Sequence, residues 1–262
     1  METLQVERSG GIVTVTFDRP EKKNAINDTG WEELRKVAQD LKDDPSVRCV
    51  VLTGAGGDFC SGADVSGGSA EADRGPGDRQ QLARMQYIHD VCNRLHDLPM
   101  PTIAKVHGVA AGVGLNIALG CDLIVASDEA RFSEIFVKRG LSLDGGGSWL
   151  LPRLIGLHRA KELALFGDVI DAQEAERLGL VNRVVPAAEL DKVVDEWAAR
   201  LAAGPPIALA MTKRLLNRSF EQSFEQALDD ESRTQTVNFH TKDTREALTA
   251  FVQKREPKFE GR

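Results

Sequence analysis

Short apolar runs, each bounded by polar or glycine-rich residues, mark the predicted strands of this chain. Residues 4–7 and 12–17 alternate apolar and polar positions on either side of Gly10 and Gly11, which predicts an antiparallel hairpin. Residues 47–53 and 123–126 are predominantly apolar, a pattern typical of strands buried on both faces of a parallel sheet.

Segments with helical periodicity separate these strands. Residues 28–41 and 82–98 carry apolar positions at three- and four-residue spacing, and Asp28 is the expected N-cap of the first helix. The alternation of strands and helices predicts an α/β fold with a largely parallel sheet. Beyond the middle of the chain the pattern is almost wholly helical. We therefore expect a core domain over residues 1–200 and a C-terminal helical region over residues 201–262.

Two turns made of small residues follow buried strands. Residues 107–122 begin as a glycine-rich turn and continue as a helix whose first turn contains Gly112 and Gly114, and residues 54–65 form a similar turn upstream. A helix N-terminus offers unpaired N–H groups, and small residues let another group approach closely. Two N–H groups from separate turns could stabilise an oxyanion, although close helix–strand packing alone would explain one such turn.

Residues 59–64 and 107–114, with residues 121–126 after them, form a set that resembles the crotonase (enoyl-CoA hydratase/isomerase) superfamily. The resemblance runs nearly end to end, from residues 17–26 to residues 254–261. It implies the ClpP/crotonase-like fold, in which repeated ββα units form a spiral core. It also implies an enzyme whose substrate is an acyl-CoA thioester, so that coenzyme A belongs to the substrate and no separate cofactor is expected. Relatives assemble as homotrimers or dimers of trimers through their C-terminal helices.

The same resemblance assigns roles to individual positions. The backbone N–H groups of Ala63 and Val113 correspond to the oxyanion hole that holds the thioester carbonyl oxygen, with Gly112 beside the second donor. In relatives the last helix reaches coenzyme A bound to a neighbouring subunit. The positions expected to bind the substrate are Lys22, Ala25, Ser61, Asp64, Val65, Gly112, Phe136, Leu143 and Lys254. For Asp64, a buried and hydrogen-bonded turn carboxylate is the alternative.

An oxyanion hole moves no proton, so the reaction depends on an acid or base that faces the acyl chain. Hydratases of the family carry two glutamates, and their pattern falls on Asn116 and Phe136, neither of which can act as a base. Residues 141–153 resemble instead double-bond isomerases such as 1,2-epoxyphenylacetyl-CoA isomerase, in which an aspartate at this position shuttles a proton. We therefore expect an acyl-CoA isomerase with Asp144 as proton shuttle, its pKa raised by an apolar pocket containing Phe136, Leu143 and Trp149.

Other assignments stay open at this point. Asp144 precedes a predicted helix and could be only its N-cap. Glu134 is the nearest other carboxylate and could act as a second acid, although a surface or paired carboxylate is the simpler interpretation. The alternatives to an isomerase are a hydratase that uses a non-standard acid and a noncatalytic acyl-CoA binder. His89 and His96 have no partner cluster in the sequence, so we expect neither to be catalytic.

Charge and cysteine content exclude other classes of function. The 262 residues carry a formal net charge of −7, which disfavours binding to nucleic acids and to anionic membranes. The four cysteines lack metal-ligand spacing, so we expect reduced thiols, no metal site and a cytoplasmic protein. No apolar run is long enough to span a bilayer. Residues 66–78 are rich in glycine, serine and charge, which predicts a mobile loop.

Overall fold

A computed structural model describes residues 1–66 and 78–262 of the chain, so the predicted mobile loop lies almost wholly outside the described residues. The described strands are β1 (Leu4–Ser9), β2 (Ile12–Phe17), β3 (Cys49–Gly54), β4 (Thr102–Val106), β5 (Val109–Ala111), β6 (Leu123–Ser127), β7 (Arg131–Ser133), β8 (Ile170–Asp171) and β9 (Arg183–Val185). The described α-helices are α1 (Asp28–Asp43), α2 (Asp78–His96), α3 (Val113–Leu119), α4 (Gly147–Phe166), α5 (Ala172–Leu178), α6 (Leu190–Ala202), α7 (Pro206–Arg218), α8 (Phe224–Phe239) and α9 (Lys242–Gln253).

The described strands form two sheets. The larger has six strands in the order β1-β2-β3-β4-β6-β9, and each neighbouring pair except β1 and β2 is parallel. The smaller has the order β5-β7-β8, with β5 and β7 parallel. The chain repeats a ββα unit, as in β1-β2-α1, β4-β5-α3 and β6-β7-α4. The predicted hairpin and the largely parallel sheet are both confirmed.

The large sheet is covered by helices on both faces. Strand β3 is buried along its whole length, as its apolar run predicts. Because successive side chains of a strand point to opposite faces, its residues divide between two clusters. Val50 and Leu52 belong to the main core, whereas Cys49 and Val51 pack in a second cluster that includes Leu190 of α6. Helix α6 therefore closes the second face of the sheet.

The ends of the helices differ in detail from the predicted ones. Asn27, and not Asp28, is the N-cap of α1, because its backbone is extended and its side chain accepts a hydrogen bond from Gly30 N at 2.9 Å. Helix α4 is interrupted at Gly156, whose φ of 75° is not helical. The long helical stretch at the C-terminus is two helices, α8 and α9, of which α8 begins with a capping box at Ser223.

Helix α7 is fastened to the core by a partly buried ion pair. Lys213 Nζ lies 2.8 Å from Asp122 Oδ2, and the same carboxylate oxygen accepts hydrogen bonds from the backbone and hydroxyl of Thr102. Helix α9 packs mainly against α8. Of the helices in the described part of the chain, none combines the length and the apolar character needed to cross a membrane.

Asn24 ties the segment after β2 to the turn after β3. The residue is buried and adopts a left-handed backbone conformation with φ of 56°. Its Nδ2 donates to the carbonyl oxygens of Ala55 and Asp58 at 2.9 and 2.6 Å, and its Oδ1 accepts from Arg19 N at 2.9 Å. Asparagine suits this position because it tolerates positive φ and offers both donor and acceptor atoms.

We expect Asn24→Ala to lower the free energy of unfolding by about 3 kcal/mol, because it leaves buried backbone groups without partners. Urea denaturation of the purified variant measures this loss. Asn93→Ala, at an exposed position of α2, is the control and should change stability by no more than about 0.5 kcal/mol. Equal stability of the two variants would show that Asn24 does not hold the turn.

Candidate active site

The two small-residue turns are in direct backbone contact. Cys60 N donates to Val109 O at 2.9 Å, and Ala111 N donates to Cys60 O at 3.0 Å, so the first turn is bridged to β5. A Cβ on Gly114 would collide with the Cys60 carbonyl. Glycine is therefore required at the start of α3 because the backbone of the other turn occupies the side-chain space.

Ala63 and Val113 lie on the facing segments of these turns. A Cβ on Gly62 would lie 3.8 Å from Val113 N, which places the residue before Ala63 against the second turn. Gly112, with φ of 54°, is the N-cap of α3, and its own N–H is used by Ser133 O. Within residues 1–66 and 78–262, the N–H groups of Ala63 and Val113 donate to no acceptor. Two unpaired donors on adjacent segments are what a developing oxyanion requires.

Asp144 lies in the glycine-rich loop that leads into α4. Gly145 and Gly146 follow it with φ of 57° and 93°, and Gly146 is the N-cap of the helix. The interpretation of Asp144 as the N-cap is therefore wrong. The Asp144 carboxylate therefore accepts no capping hydrogen bond from the N–H groups at the start of α4.

Asn116 of α3 holds this loop in place. Its Nδ2 donates to the backbone carbonyl of Asp144 at 2.9 Å, and that carbonyl also accepts from Gly147 N at 3.0 Å. A Cβ on Gly147 would lie 2.6 Å from Asn116 Nδ2, and a Cβ on Gly145 would lie 2.7 Å from Val113 Cγ2. The Asp144 loop is thus packed directly on the second turn, and two glycines allow that contact.

A cavity of about 650 Å³ lies between α2, α3, this loop and the end of α7. Leu143, Asp144, Asn116 and Trp149 line it. Oδ1 of Asp144 is buried and has no hydrogen-bond partner in the described part of the chain. Burial raises the pKa of Asp144 above its usual value, and the charge of His89 opposes that effect only in part. A carboxyl group in this state can exchange a proton with a ligand in the cavity.

Phe136 does not lie where the sequence placed it. Its ring is buried beside the second turn, with Cζ 3.6 Å from the Cβ position of Gly112, and it is not among the described residues that line the cavity. Of the three apolar residues expected around Asp144, Leu143 and Trp149 line the described cavity and Phe136 does not. Ala63, Gly112 and Val113 are likewise absent from the described cavity wall, and of these three Val113 packs against the Asp144 loop at Gly145.

The predicted coenzyme A positions converge on the first turn. Ser61 Oγ donates to Lys22 O at 3.2 Å, which joins the first turn to the segment after β2. The carbonyl of Ala25 in that segment accepts a hydrogen bond from Arg19 Nη1 at 2.6 Å. Because Ala25 N also donates to Lys22 O at 3.1 Å, the three residues Lys22, Ala25 and Ser61 are linked by hydrogen bonds to one carbonyl group.

Asp64 is a hydrogen-bonded turn carboxylate. Its Oδ1 accepts from the backbone N and the hydroxyl of Ser66 at 2.9 and 2.6 Å, and its Oδ2 lies 2.9 Å from Arg19 Nη2. The bonds from Ser66, with the Arg19 pair, lower the pKa of Asp64 to about 2. Its neighbour Val65 is 65% exposed, and Lys254 lies far along the chain at the end of α9.

Glu134 was expected to lie at the surface or to be paired with another residue. It does not lie at the surface. The side chain is 1% exposed and follows buried strand β7. Its Oε2 lies 3.4 Å from Asn116 Nδ2, and its Oε1 has no partner among the described residues. Burial raises the pKa of Glu134 to about 8, and the Asn116 bond opposes this shift. The signal in the sequence was its place directly after a buried strand.

Helix α2 supplies a polar wall that the sequence reasoning missed. His89, Cys92, Asn93 and His96 all line the cavity. Their spacing of three, four and seven residues places them on one face of the helix, which was the available signal. The charge of His89 acts on Asp144, so this histidine does have a partner.

Two contacting turns with free N–H donors, beside a carboxyl group in a cavity, define an enzyme of the crotonase fold. Residues 7–262 match the family model for enoyl-CoA hydratase/isomerase, and the chain belongs to that family. It is 35% identical over 262 residues to 1,2-epoxyphenylacetyl-CoA isomerase of Escherichia coli (strain K12), covering 100% of both chains. It is 37% identical over 271 residues to a short-chain-enoyl-CoA hydratase of Clostridium acetobutylicum, covering 100% of this chain and 98% of the relative.

Solved structures show the same fold. An enoyl-CoA hydratase from Bacillus anthracis superposes with a TM-score of 0.92 at 32% identity, covering 99% of this chain and 100% of that chain. The crotonase fold implied by the sequence motifs is therefore confirmed. The relatives include both isomerases and hydratases by name, so the family is shown while the individual reaction is not.

We expect Gly114→Ala to lower the free energy of unfolding by about 2 kcal/mol or more, because the new methyl group collides with the Cys60 carbonyl. Replacing glycine with alanine inside an ordinary helix would instead stabilise the helix by about 1 kcal/mol. The sign of the change in the free energy of unfolding therefore distinguishes the two cases. Gly57→Ala is the control, since nothing lies within 4 Å of its Cβ position. Thermal or urea unfolding measures both. A stabilised Gly114→Ala variant would refute the contact between the turns.

Proposed function

We propose that this chain is an acyl-CoA thioester isomerase in which Asp144 shuttles the proton. The observation that carries the proposal is the carboxyl of Asp144, which faces the cavity with a buried oxygen that has no partner in the described chain. The two positions that hold glutamates in family hydratases are Asn116 and Phe136 here. Asn116 uses its amide to hold the backbone of Asp144, so it supports that residue and supplies no base of its own.

The proposed mechanism begins with polarisation of the thioester. The N–H groups of Ala63 and Val113 donate to its carbonyl oxygen, which acidifies the adjacent carbon. Because both donors are backbone groups held by the contact between the turns, they need no rearrangement as negative charge develops. Removal of one such donor typically costs about 10²- to 10³-fold in turnover in other oxyanion holes.

Asp144 then moves the proton. As a carboxylate it takes a proton from the carbon next to the thioester, which leaves a conjugated enolate, and it returns that proton two carbons further along. One carboxyl group suffices, because the proton leaves and returns on the same face of the acyl chain. Burial brings the pKa of Asp144 closer to neutral pH, and a base with such a pKa exchanges protons efficiently in both directions.

A hydratase is the second candidate. It is supported by hydratase relatives such as the Clostridium acetobutylicum protein and by the second buried carboxyl, Glu134. Hydration needs one group to activate water and one to protonate carbon, and Asp144 with Glu134 would supply two. Glu134 is not part of the described cavity wall, however, and this favours the isomerase.

The substrate proposal includes coenzyme A as the carrier of the acyl group, with no separate cofactor and no metal. Lys22, Ala25, Ser61 and Val65 would bind coenzyme A beside the first turn, since hydrogen bonds join the first three at the Lys22 carbonyl. Lys254, at the end of α9, would bind coenzyme A held by a neighbouring subunit.

The decisive experiment follows deuterium in a 3-enoyl-CoA and a 2-enoyl-CoA, each incubated with the enzyme in heavy water. We expect double-bond migration with deuterium uptake, read by NMR and mass spectrometry. Asp144→Asn should lower the rate by about 10²- to 10⁴-fold, the usual contribution of a general base. Asp97→Asn, which removes an exposed carboxylate from the wall of the same cavity, is the matched control and should leave the rate within about threefold.

Two results would contradict the isomerase. Product that gains the oxygen of labelled water, at a rate that survives Asp144→Asn, would establish a hydratase and direct attention to Glu134. Full isomerisation by Asp144→Asn would show that another residue moves the proton.

We also propose that the chain assembles as a homotrimer or dimer of trimers through its C-terminal helices. Large apolar side chains on α7 to α9 and the segment between α7 and α8 are 46–84% exposed in the single chain, which is unusual for a surface that faces water. They are Leu216, Phe220, Phe224, Leu228, Val237, Phe239, Leu248, Phe251 and Val252.

Sedimentation velocity should therefore give a mass of three or six times the 28.6 kDa of one chain. Phe251→Lys, which places a charge on an 84% exposed ring position of α9, should shift the population toward smaller species. Val6→Lys, on the edge strand β1 and 37% exposed, is the control and should not. A monomeric wild-type protein at micromolar concentration would rule out this assembly.

A further inference from the structure

Glu134 is a buried carboxyl group that the proposed mechanism does not use. It is held between β7 and the loop of Asp144, and one side chain, Asn116, connects the two acids. Asn116 Nδ2 reaches Glu134 Oε2 at 3.4 Å and the carbonyl oxygen of Asp144 at 2.9 Å. Both acids therefore depend on the orientation of one amide group.

In the described part of the chain Glu134 forms no ion pair with a cation. The one titratable group that shifts its pKa there is the negatively charged Asp144. A carboxylate that is 1% exposed, with a single long hydrogen bond and no cation, would be an uncompensated buried charge. Such groups take up a proton instead.

Two oxygen atoms in this cluster lack partners, and they are complementary. Glu134 Oε1 and Asn116 Oδ1 are both buried without a hydrogen bond in the described chain. The other polar atoms of these two side chains, Glu134 Oε2 and Asn116 Nδ2, are already hydrogen-bonded to each other. An ionised Glu134 cannot help either atom, because both are acceptors. One proton on Oε1 would turn it into a donor to Oδ1 and satisfy both.

We propose that Glu134 keeps its proton while Asp144 is ionised, and that the resulting acid–amide pair fixes the Asn116 side chain so that Nδ2 holds the Asp144 loop. Glu134 and Asn116 are then positioning residues, and neither touches the reacting atoms. The inference rests on the proposed role of Asp144. It explains why an asparagine occupies the position of a family glutamate: the amide offers the donor that the Asp144 carbonyl needs and the acceptor that the acid needs.

The charge of the site follows from this pairing. The charge of His89 on α2 acts on Asp144, and the charge of Asp144 in turn acts on Cys92 of α2 and on Glu134 after β7, while Asn116 of α3 binds the Asp144 carbonyl. With Glu134 neutral, Asp144 carries the single negative charge of the cluster. A second charge on Glu134 would raise the pKa of Asp144 further and keep it protonated, so that it could not accept a proton from the substrate.

Infrared spectroscopy tests the protonation state without any measurement of activity. Enzyme labelled with ¹³C at the glutamate carboxyl groups should show the carbonyl stretch of a protonated glutamic acid at pH 6, shifted in heavy water. The band should be absent from Glu134→Gln, remain in Asp144→Asn, and fade as the pH passes about 8. Absence of the band from the wild-type enzyme at pH 6 would overturn the proposal.

Kinetics test the positioning role. Glu134→Leu and Asn116→Ala release the loop and should lower kcat by about 10- to 100-fold with KM nearly unchanged, as expected for a small misplacement of a catalytic group. Glu134→Gln can still pair with the Asn116 amide, so its kcat should exceed that of Glu134→Leu at least about tenfold. The acid-side pKa in the pH–rate profile of Glu134→Gln should equal that of the wild type, because the side chain at position 134 is neutral in both proteins in that pH range.

Two outcomes contradict the inference, and a third concerns only its premise. Loss of turnover in Glu134→Gln at every pH would make Glu134 itself an acid or base of the reaction. A lowered acid-side pKa in that variant would show that Glu134 is ionised in the wild type. If Asp144→Asn isomerised the substrate at full rate, the proposed function would fail while the infrared result still reported the state of Glu134.

Discussion

The backbone contact between the two turns is the constraint on which the rest of the site depends. Cys60 forms hydrogen bonds with Val109 and Ala111 along one edge of β5, and this bridge joins the turn after β3 of the large sheet to the edge of the small one. A bridge of backbone atoms leaves no room for side chains, which is why Gly114 faces the Cys60 carbonyl. In the described part of the chain it also leaves the N–H groups of Ala63 and Val113, on adjacent segments, without an acceptor. Local packing and the proposed electrophilic function therefore have one physical origin.

Much of this architecture could be predicted from the sequence because its signals are local. The hairpin of β1 and β2 follows from an alternating pattern around two glycines, and β3 follows from a continuous apolar run. The one-residue error at Asn27 arose because asparagine and aspartate are both good caps, and only the backbone conformation decides between them. The family motifs then identified the fold, which the solved structures share.

The details of the candidate site were harder to predict because they depend on which side chains meet across elements. Phe136 was expected beside Asp144, but it packs against Gly112, since the turn after β7 directs it toward the second turn. The burial of Glu134 was hard to predict, because a charged residue is usually exposed and its neighbours in sequence do not reveal Asn116, so that its place directly after a buried strand was the one available signal. His89 was set aside for lack of a partner in sequence, although its partner lies on another segment.

Asn116 stands where hydratases of the family carry a glutamate, and this difference changes the number of carboxyl groups in the site. A glutamate there would be a third carboxyl group close to Asp144 and Glu134, and carboxyl groups so near one another cannot all be ionised. An asparagine removes that repulsion and at the same time supplies a donor to the Asp144 loop at 2.9 Å. The remaining pair of acids divides by environment, since Asp144 faces the cavity whereas Glu134 is enclosed. The proposed proton shuttle needs one cavity-facing carboxyl group, which Asp144 provides, whereas water addition would require a second acid facing the cavity.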